Sequence, residues 1–172
     1  MGAHDQGANA VQGRWLVIPR SLCFVMNGND VLLMKRAPTR RIFPNRYNGI
    51  GGHIEGDEDP VTSARREILE ETGLQVQNLR LRGIHNINAG EATGIILFIF
   101  TAGANSRDTI DSDEGTLHWI PRDEVFALDL VEDLSLILPR LFDAKDDSEI
   151  WFAHVSYDEV DHVVLHYAEE MP

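Results

Sequence analysis

Three glutamates, Glu67, Glu70 and Glu71, stand at i, i+3 and i+4. On a helix those offsets bring their carboxylates within about 100° of one another around the axis. Acids this close repel at neutral pH. Only Arg65 and Arg66 are near in sequence, and Arg66 is placed to reach Glu70. The stripe therefore needs positive charge from elsewhere. A hard divalent cation is the simplest source, because Mg²⁺ takes carboxylates, waters and substrate phosphates as ligands. On spacing alone, a solvated acidic helix face is an equally good reading.

The element that must carry these acids is a helix of three to four turns. Asp59 suits an N-cap, Pro60 the first helical position, and Gly73 a C-terminal stop. Val61, Ala64 and Ile68 form a second stripe, expected to face a core. The pattern around the helix is more specific. Gly52, Glu58, Arg66, Glu67, Ile68, Glu70, Glu71, Gly73 and Leu74 fit G-x5-E-x7-R-E-U-x-E-E-x-G-U, with U apolar, at every position. With residue types used at a few per cent each, such a match is an accident of about one in 10⁸ per starting point. The segment resembles the Nudix box, and the chain is similar to Nudix hydrolases, which cleave nucleoside diphosphates linked to another group using Mg²⁺ or Mn²⁺. The resemblance implies an α/β fold, an α/β/α sandwich around a mixed β-sheet.

The chain has 172 residues, and 43% hydrophobic content supports a real core. One domain over residues 14–172 is expected, with the small, polar residues 1–13 disordered. Cys23 is the only cysteine and sits among apolar residues, so a buried structural thiol in a reducing cytoplasm is expected. No apolar run is long enough to span a bilayer, and the N-terminus has no signal segment. The net charge of −13 argues against nucleic-acid polymers, whose phosphates need lysine and arginine. It does not exclude a nucleotide entering as its magnesium complex. A monomer or homodimer is expected.

In chain order, residues 15–26 read as a strand with a break at Pro19, and Asn27-Gly28-Asn29-Asp30 as a hairpin turn. Residues 31–34 form the return strand, with Lys35 and Arg36 at its end. The following loop, 37–47, holds Arg40, Arg41 and Arg46, local basic charge that suits steering a phosphate chain and equally suits a solubilising surface. Residues 75–88 read as extended, and the apolar run 95–101 as a central strand buried on both faces. A short strand over 117–120, a helix start over 121–125 and a second helix over 130–142, kinked or divided at Pro139, follow. A β-hairpin closes the chain around residues 157–159.

Similarity to the Nudix family implies roles for individual residues. Glu67, Glu70 and Glu71 hold metal and organise the attacking water, with Glu58 and Arg66 supporting them. A backbone carbonyl at Gly51 or Gly52 is a further metal ligand. Glu114 occupies the place of an additional metal-binding or basic glutamate, with Asp111 and Asp113 as alternatives, and Lys35 and Arg36 lie where basic residues meet substrate phosphates.

The layout from about residue 20 to 167 resembles the MutT-type purine nucleoside triphosphatases, which clear oxidised nucleotides such as 8-oxo-dGTP. That likeness rests on Tyr47-Asn48-Gly49, the segment EGTLHWIPRDEV and the closing hairpin. It implies base recognition by Asn48, Glu132 and Asp133. The chain departs from this branch at Leu130, where some relatives carry a stacking tryptophan, and at His53, where lysine is frequent. ADP-ribose, nucleotide sugars and dinucleotides are the alternative substrates, and a non-catalytic nucleotide sensor is the alternative class.

Overall fold

The computed structural model describes residues 2–9, 11–143 and 149–170; residues 1 and 10 of the expected N-terminal segment, and residues 144–148 and 171–172 of the expected domain, lie outside them. In chain order the main elements are β1 (Leu16–Asn27), β2 (Asp30–Arg36), β3 (Tyr47–Asn48), α1 (Pro60–Thr72), β4 (Gln77–Ile87), β5 (Thr93–Gly103), β6 (Gly115–Pro121), α2 (Leu134–Asp143), β7 (Trp151–Tyr157) and β8 (Val163–Tyr167). A 3₁₀ turn over Ala3–Gln6 precedes them.

The strands form one mixed sheet in the order β3-β2-β1-β5-β4-β7-β8, with β6 on β2. β5 is central, parallel to β1 and antiparallel to β4. Helices cover the two faces. Ala64 and Ile68 of α1 pack with Cys23, Val25, Leu32, Met34 and Phe100 on one face. Leu134, Ile137, Leu138 and Leu141 of α2 pack with Leu22, Phe24, Leu33, Leu97 and Ile99 on the other. Fully burying each such side chain is worth roughly 1.5–3 kcal/mol. The expected α/β/α sandwich is the observed architecture, and β7 and β8 form the closing hairpin.

One departure from regular pairing positions the site. β1 and β2 pair only from Asn27/Asp30 to Val25/Leu32 and then separate. The segment 47–53 fills the gap. β3 pairs with β2 at Met34 and Lys35, and Ile50 exchanges both backbone hydrogen bonds with Cys23, at 2.6 and 3.0 Å. The Ser21 N–H then donates to the Gly52 carbonyl at 2.9 Å. The double glycine is thus clamped against β1 directly beneath α1.

The expected break at Pro19 does not occur; β1 runs through it. Ser21 and Cys23 donate toward the 50–52 segment, and Pro19 accepts from the Ile54 N–H. The nitrogen at position 19 therefore faces away from β5, and the parallel ladder loses nothing. The helix expected from Pro121 is instead the end of β6 followed by a 3₁₀ turn, Val125–Ala127, because Pro121 pairs with Asp30. α2 begins at Leu134 rather than residue 130, since Leu130 bridges Tyr47 and the Val131 N–H donates to the Tyr47 carbonyl. It is not divided at Pro139, which lies on its exposed side. Val61 is 45% exposed, so the buried stripe of α1 is Ser63, Ala64, Ile68 and Thr72.

On the α2 face, the Trp151 indole N–H donates to Nε2 of buried His85 at 3.1 Å. A Cβ built on Gly83 would sit 2.2 Å from that indole nitrogen. Gly83→Ala is expected to displace the ring and destabilise the fold by about 2 kcal/mol or more. Urea unfolding followed by tryptophan fluorescence measures this.

Candidate active site

α1 is set by local signals. The Asp59 carboxylate accepts from the Val61 and Thr62 N–H groups, and Gly73 closes the helix in the left-handed region at φ 74°. With both ends fixed, Glu71 faces Gly51 and Glu67 faces Gly52, while Glu70 lies beside Arg66 toward solvent.

Arg66 organises the acids. It grips Glu58 with two nitrogens, at 2.6 and 3.0 Å. Its Nη1 donates to Glu67 at 2.8 Å and to Glu70 at 3.1 Å. A further donation reaches the His53 carbonyl at 3.2 Å. The guanidinium holds the Glu58 carboxyl down at about 2, and the three acids raise the arginine's own pKa in turn. One positive charge thus serves three negative ones.

Glu71 lies outside that arrangement. Its carboxylate accepts one hydrogen bond, from the Gly51 N–H at 3.2 Å. Burial, reinforced by the charges of Glu67 and Glu114, pushes its carboxyl up to about 8, with Arg36 opposing at longer range. Burial raises Glu67 as well. Glu70 is 60% exposed at its side chain, against 13% for Glu67.

Gly51 is required by fixed backbone, and Gly52 lies close against a movable carboxylate. Gly51 has φ 152°, and a Cβ there would stand 2.1 Å from the Ser21 carbonyl oxygen. A Cβ on Gly52 would stand 2.5 Å from a Glu67 carboxylate oxygen. Only bare backbone brings this turn between β1 and the acids. The Gly52 carbonyl is taken by Ser21, whereas no backbone hydrogen bond among the described residues takes that of Gly51. Of the two carbonyls expected as metal ligands, geometry therefore favours Gly51.

The donor set fits a hard cation in its chemistry: buried oxygen ligands, too little positive charge, and a carboxyl that holds a proton near neutrality. It is not preassembled. Among the described residues no three Asp, Glu, His or Cys side chains converge as a metal site, because Arg66 draws Glu67 and Glu70 to its own nitrogens. Glu114, expected to join this set, pairs with Arg40 Nη1 at 2.8 Å. Asp111, an alternative to it, instead accepts from the Leu117 N–H at 2.8 Å.

The remaining candidates divide. Strand alternation sends Lys35 and Arg36 to opposite faces. Arg36 is felt at Glu71, whereas Lys35 lies over the Tyr47 ring, 5.8 Å from its centroid. The Tyr47–Leu130 bridge brings the segment of Asn48 beside that of Glu132 and Asp133. The Asn48 side-chain oxygen accepts from the Gly49 N–H. Glu132 faces Arg46 at 3.7 Å. Asp133 is half-buried, its Oδ1 is shielded from solvent with no hydrogen-bond partner, and burial pushes its carboxyl up to about 6. Tyr157, at the end of β7, senses both acids, and its hydroxyl is raised by burial and by them. Tyr157 was not among the expected site residues, and Arg40 was expected only as steering charge; each meets its partner only through long-range packing.

The chain matches the NUDIX domain over residues 18–141. It belongs to the Nudix hydrolase family, whose members generally use divalent metal ions and act on small nucleotide substrates. It is 32% identical to the oxidized purine nucleoside triphosphate hydrolase of Mus musculus over 127 residues, 73% of this chain and 80% of that protein. The Danio rerio protein of the same name is 32% identical over 124 residues, 70% and 76% of the two chains. Among solved structures, a MutT protein from Bacillus halodurans superposes with TM-score 0.75 at 24% identity, covering 90% of this chain and all of that one. The NUDIX domain of Shewanella oneidensis NrtR, complexed with ADP ribose, superposes with TM-score 0.65 at 18% identity, covering 83% and 98%.

The raised Glu71 carboxyl has a measurable consequence. Unfolded, the group titrates near 4.5; folded and metal-free, near 8. Between these values the unfolded chain gives up its proton first, so stability falls as pH rises. In EDTA the melting temperature is expected to decline across that window, and Glu71→Gln to reduce the decline.

Proposed function

We propose that the protein is a Mg²⁺-dependent nucleoside triphosphate pyrophosphohydrolase of MutT type, acting on oxidised purine nucleotides such as 8-oxo-dGTP. The observation that carries this reading is a set of carboxylates with one arginine among them, Glu58 and Glu67 largely shielded and Glu70 at the solvent edge, set against a double glycine, in a chain 32% identical to a purine nucleoside triphosphate hydrolase. Glu67, Glu70, Glu71 and the Gly51 carbonyl would hold the cation, with Mn²⁺ able to replace Mg²⁺. When bound, the metal supplies charge neutralisation at the phosphoryl oxygens and a more acidic water.

The chain's own groups do the rest. Water adds to the inner phosphorus, the bridging P–O bond breaks, and pyrophosphate leaves with the electron pair. The water's proton passes to a carboxylate of the set; Glu71 and Glu114 are the candidates, close enough that the charge of Glu114 is felt at Glu71. Arg66 positions Glu67 and Glu70 and stays with Glu58. Arg36, on the acid-bearing face, meets the phosphates. Asn48 can both donate and accept at a purine edge. Asp133 Oδ1, buried and unpartnered, accepts from the N–H groups of a guanine ring, and Glu132 assists at the rim.

Glu71→Gln is expected to reduce kcat by at least a hundredfold with the fold retained, and Glu70→Gln comparably. Activity retained in both would remove the box helix from the mechanism. Asp133→Asn should raise KM for 8-oxo-dGTP roughly tenfold or more while barely altering kcat. Product analysis tests the class of substrate. A nucleoside monophosphate with pyrophosphate supports this reading; AMP with a sugar phosphate, from ADP-ribose, opposes it.

A further inference from the structure

Loop 37–46 places basic charge beside the acids of a protein whose net charge is −13. Arg46 is engaged by Asp129 and Glu132, each at 3.7 Å. The loop's other two arginines, Arg40 and Arg41, line one cavity with Arg36 at the end of β2 and with Thr39, Ile42 and Asp113. Its volume of ≈ 450 Å³ falls in the range of small-molecule sites, roughly 300–1,000 Å³. Three guanidiniums stand against two carboxylates, Asp113 in the lining and Glu114 on Arg40, which leaves one positive charge in excess. No carboxylate among the described residues pairs with Arg41.

The cavity begins where the acid set ends. Arg36 closes β2 opposite Gly115, the residue after Glu114. The Ala37 N–H donates to the Glu114 carbonyl at 2.8 Å, and Arg40 holds the Glu114 carboxylate. The loop is also fixed in shape. Its ends exchange backbone bonds between Arg36 and Arg46 and between Asn45 and Arg36, and Arg36 Nε donates to the Ile42 carbonyl at 2.9 Å. Phe43 and Asn45 are held at φ 50° and 64°. A bulky aromatic in the left-handed region persists only where its surroundings impose it, and such positions cluster at ligand clamps.

We infer that this cavity binds the terminal diphosphate of the nucleotide, with Arg40 and Arg41 as its clamp, so that the enzyme prefers nucleoside triphosphates to diphosphates. The inference rests on the triphosphatase reading above and adds a count of phosphates to it. With the inner phosphorus at the glutamates, the two outer phosphates extend past Glu114 into the cavity. Guanidiniums bind phosphate oxygens through paired, charge-assisted hydrogen bonds. The pyrophosphate produced by P–O cleavage then leaves from this cavity.

The test uses the full chain with Arg41→Ala, Arg40→Ala/Arg41→Ala and, as a control outside the cavity, Arg65→Ala. Arg41→Ala is the cleaner single variant, because Arg40→Ala also unpairs Glu114. Calorimetric titration with inorganic pyrophosphate in EDTA should show affinity falling about tenfold or more in the double variant. It should be unchanged in Arg65→Ala. In kinetics, the double variant should lose a similar factor in kcat/KM on the triphosphate and little on the matching diphosphate. Unaltered pyrophosphate affinity, or equal losses on both nucleotides, would overturn the clamp. If the wild-type protein hydrolyses neither nucleotide yet binds pyrophosphate through Arg40 and Arg41, the triphosphatase reading fails and the anion site stands.

Discussion

The structure depends on an electrostatic imbalance that one arginine only partly relieves. Arg66 holds Glu58, Glu67 and Glu70 together, and Glu71 remains buried beside them with a single backbone donor. Burying a carboxylate is costly unless it is paired, so the folded protein keeps a proton on Glu71 well above the ordinary carboxyl range. This is an expensive arrangement for a scaffold. It is an economical one for a site that accepts a divalent cation, because the same ion relieves the repulsion and neutralises an incoming phosphate chain.

The rest of the fold can be understood as what brings backbone to those acids. The parting of β1 from β2 opens a gap that the 47–53 segment fills, and the hydrogen bonds of Ser21 and Cys23 fix that segment against β1. Gly51 and Gly52 then pass between β1 and α1, where a side chain on Gly51 would collide with the Ser21 backbone and one on Gly52 would displace the Glu67 carboxylate. The loop before this segment returns to the acid set through Ala37, Arg40 and Glu114. Acids and arginines therefore lie side by side at one end of the sheet: one group suits metal, the other suits anions.

Much of this was legible in the sequence where the signals are local. Asp59, Pro60 and Gly73 bound α1 as their cap chemistry requires, and the spacing of Glu67, Glu70 and Glu71 put them on one face. The Asn27–Asp30 turn and the apolar run of β5 were equally plain. What was not legible depends on partners distant in sequence. Pro19 reads as a break until its strand is seen to pair away from it; Pro121 reads as a helix start until β6 pairs it with Asp30. The first turn expected of α2 is drawn into backbone bonding with Tyr47. The pairing of Arg40 with Glu114 joins loops with no shared local pattern. The opposite facing of Lys35 and Arg36 was available from the period of a strand.

The central claim is that these glutamates form an ion site that opens when Arg66 yields an acid. Crystals grown without metal and soaked in Mn²⁺, with anomalous diffraction data collected, address it directly. An anomalous peak ligated by Glu71 and Glu67 is expected, with the Gly51 carbonyl in the coordination sphere and Glu70 turned away from Arg66. An ordered site with Arg66 still holding all three acids and no anomalous peak beside Glu71 would contradict it.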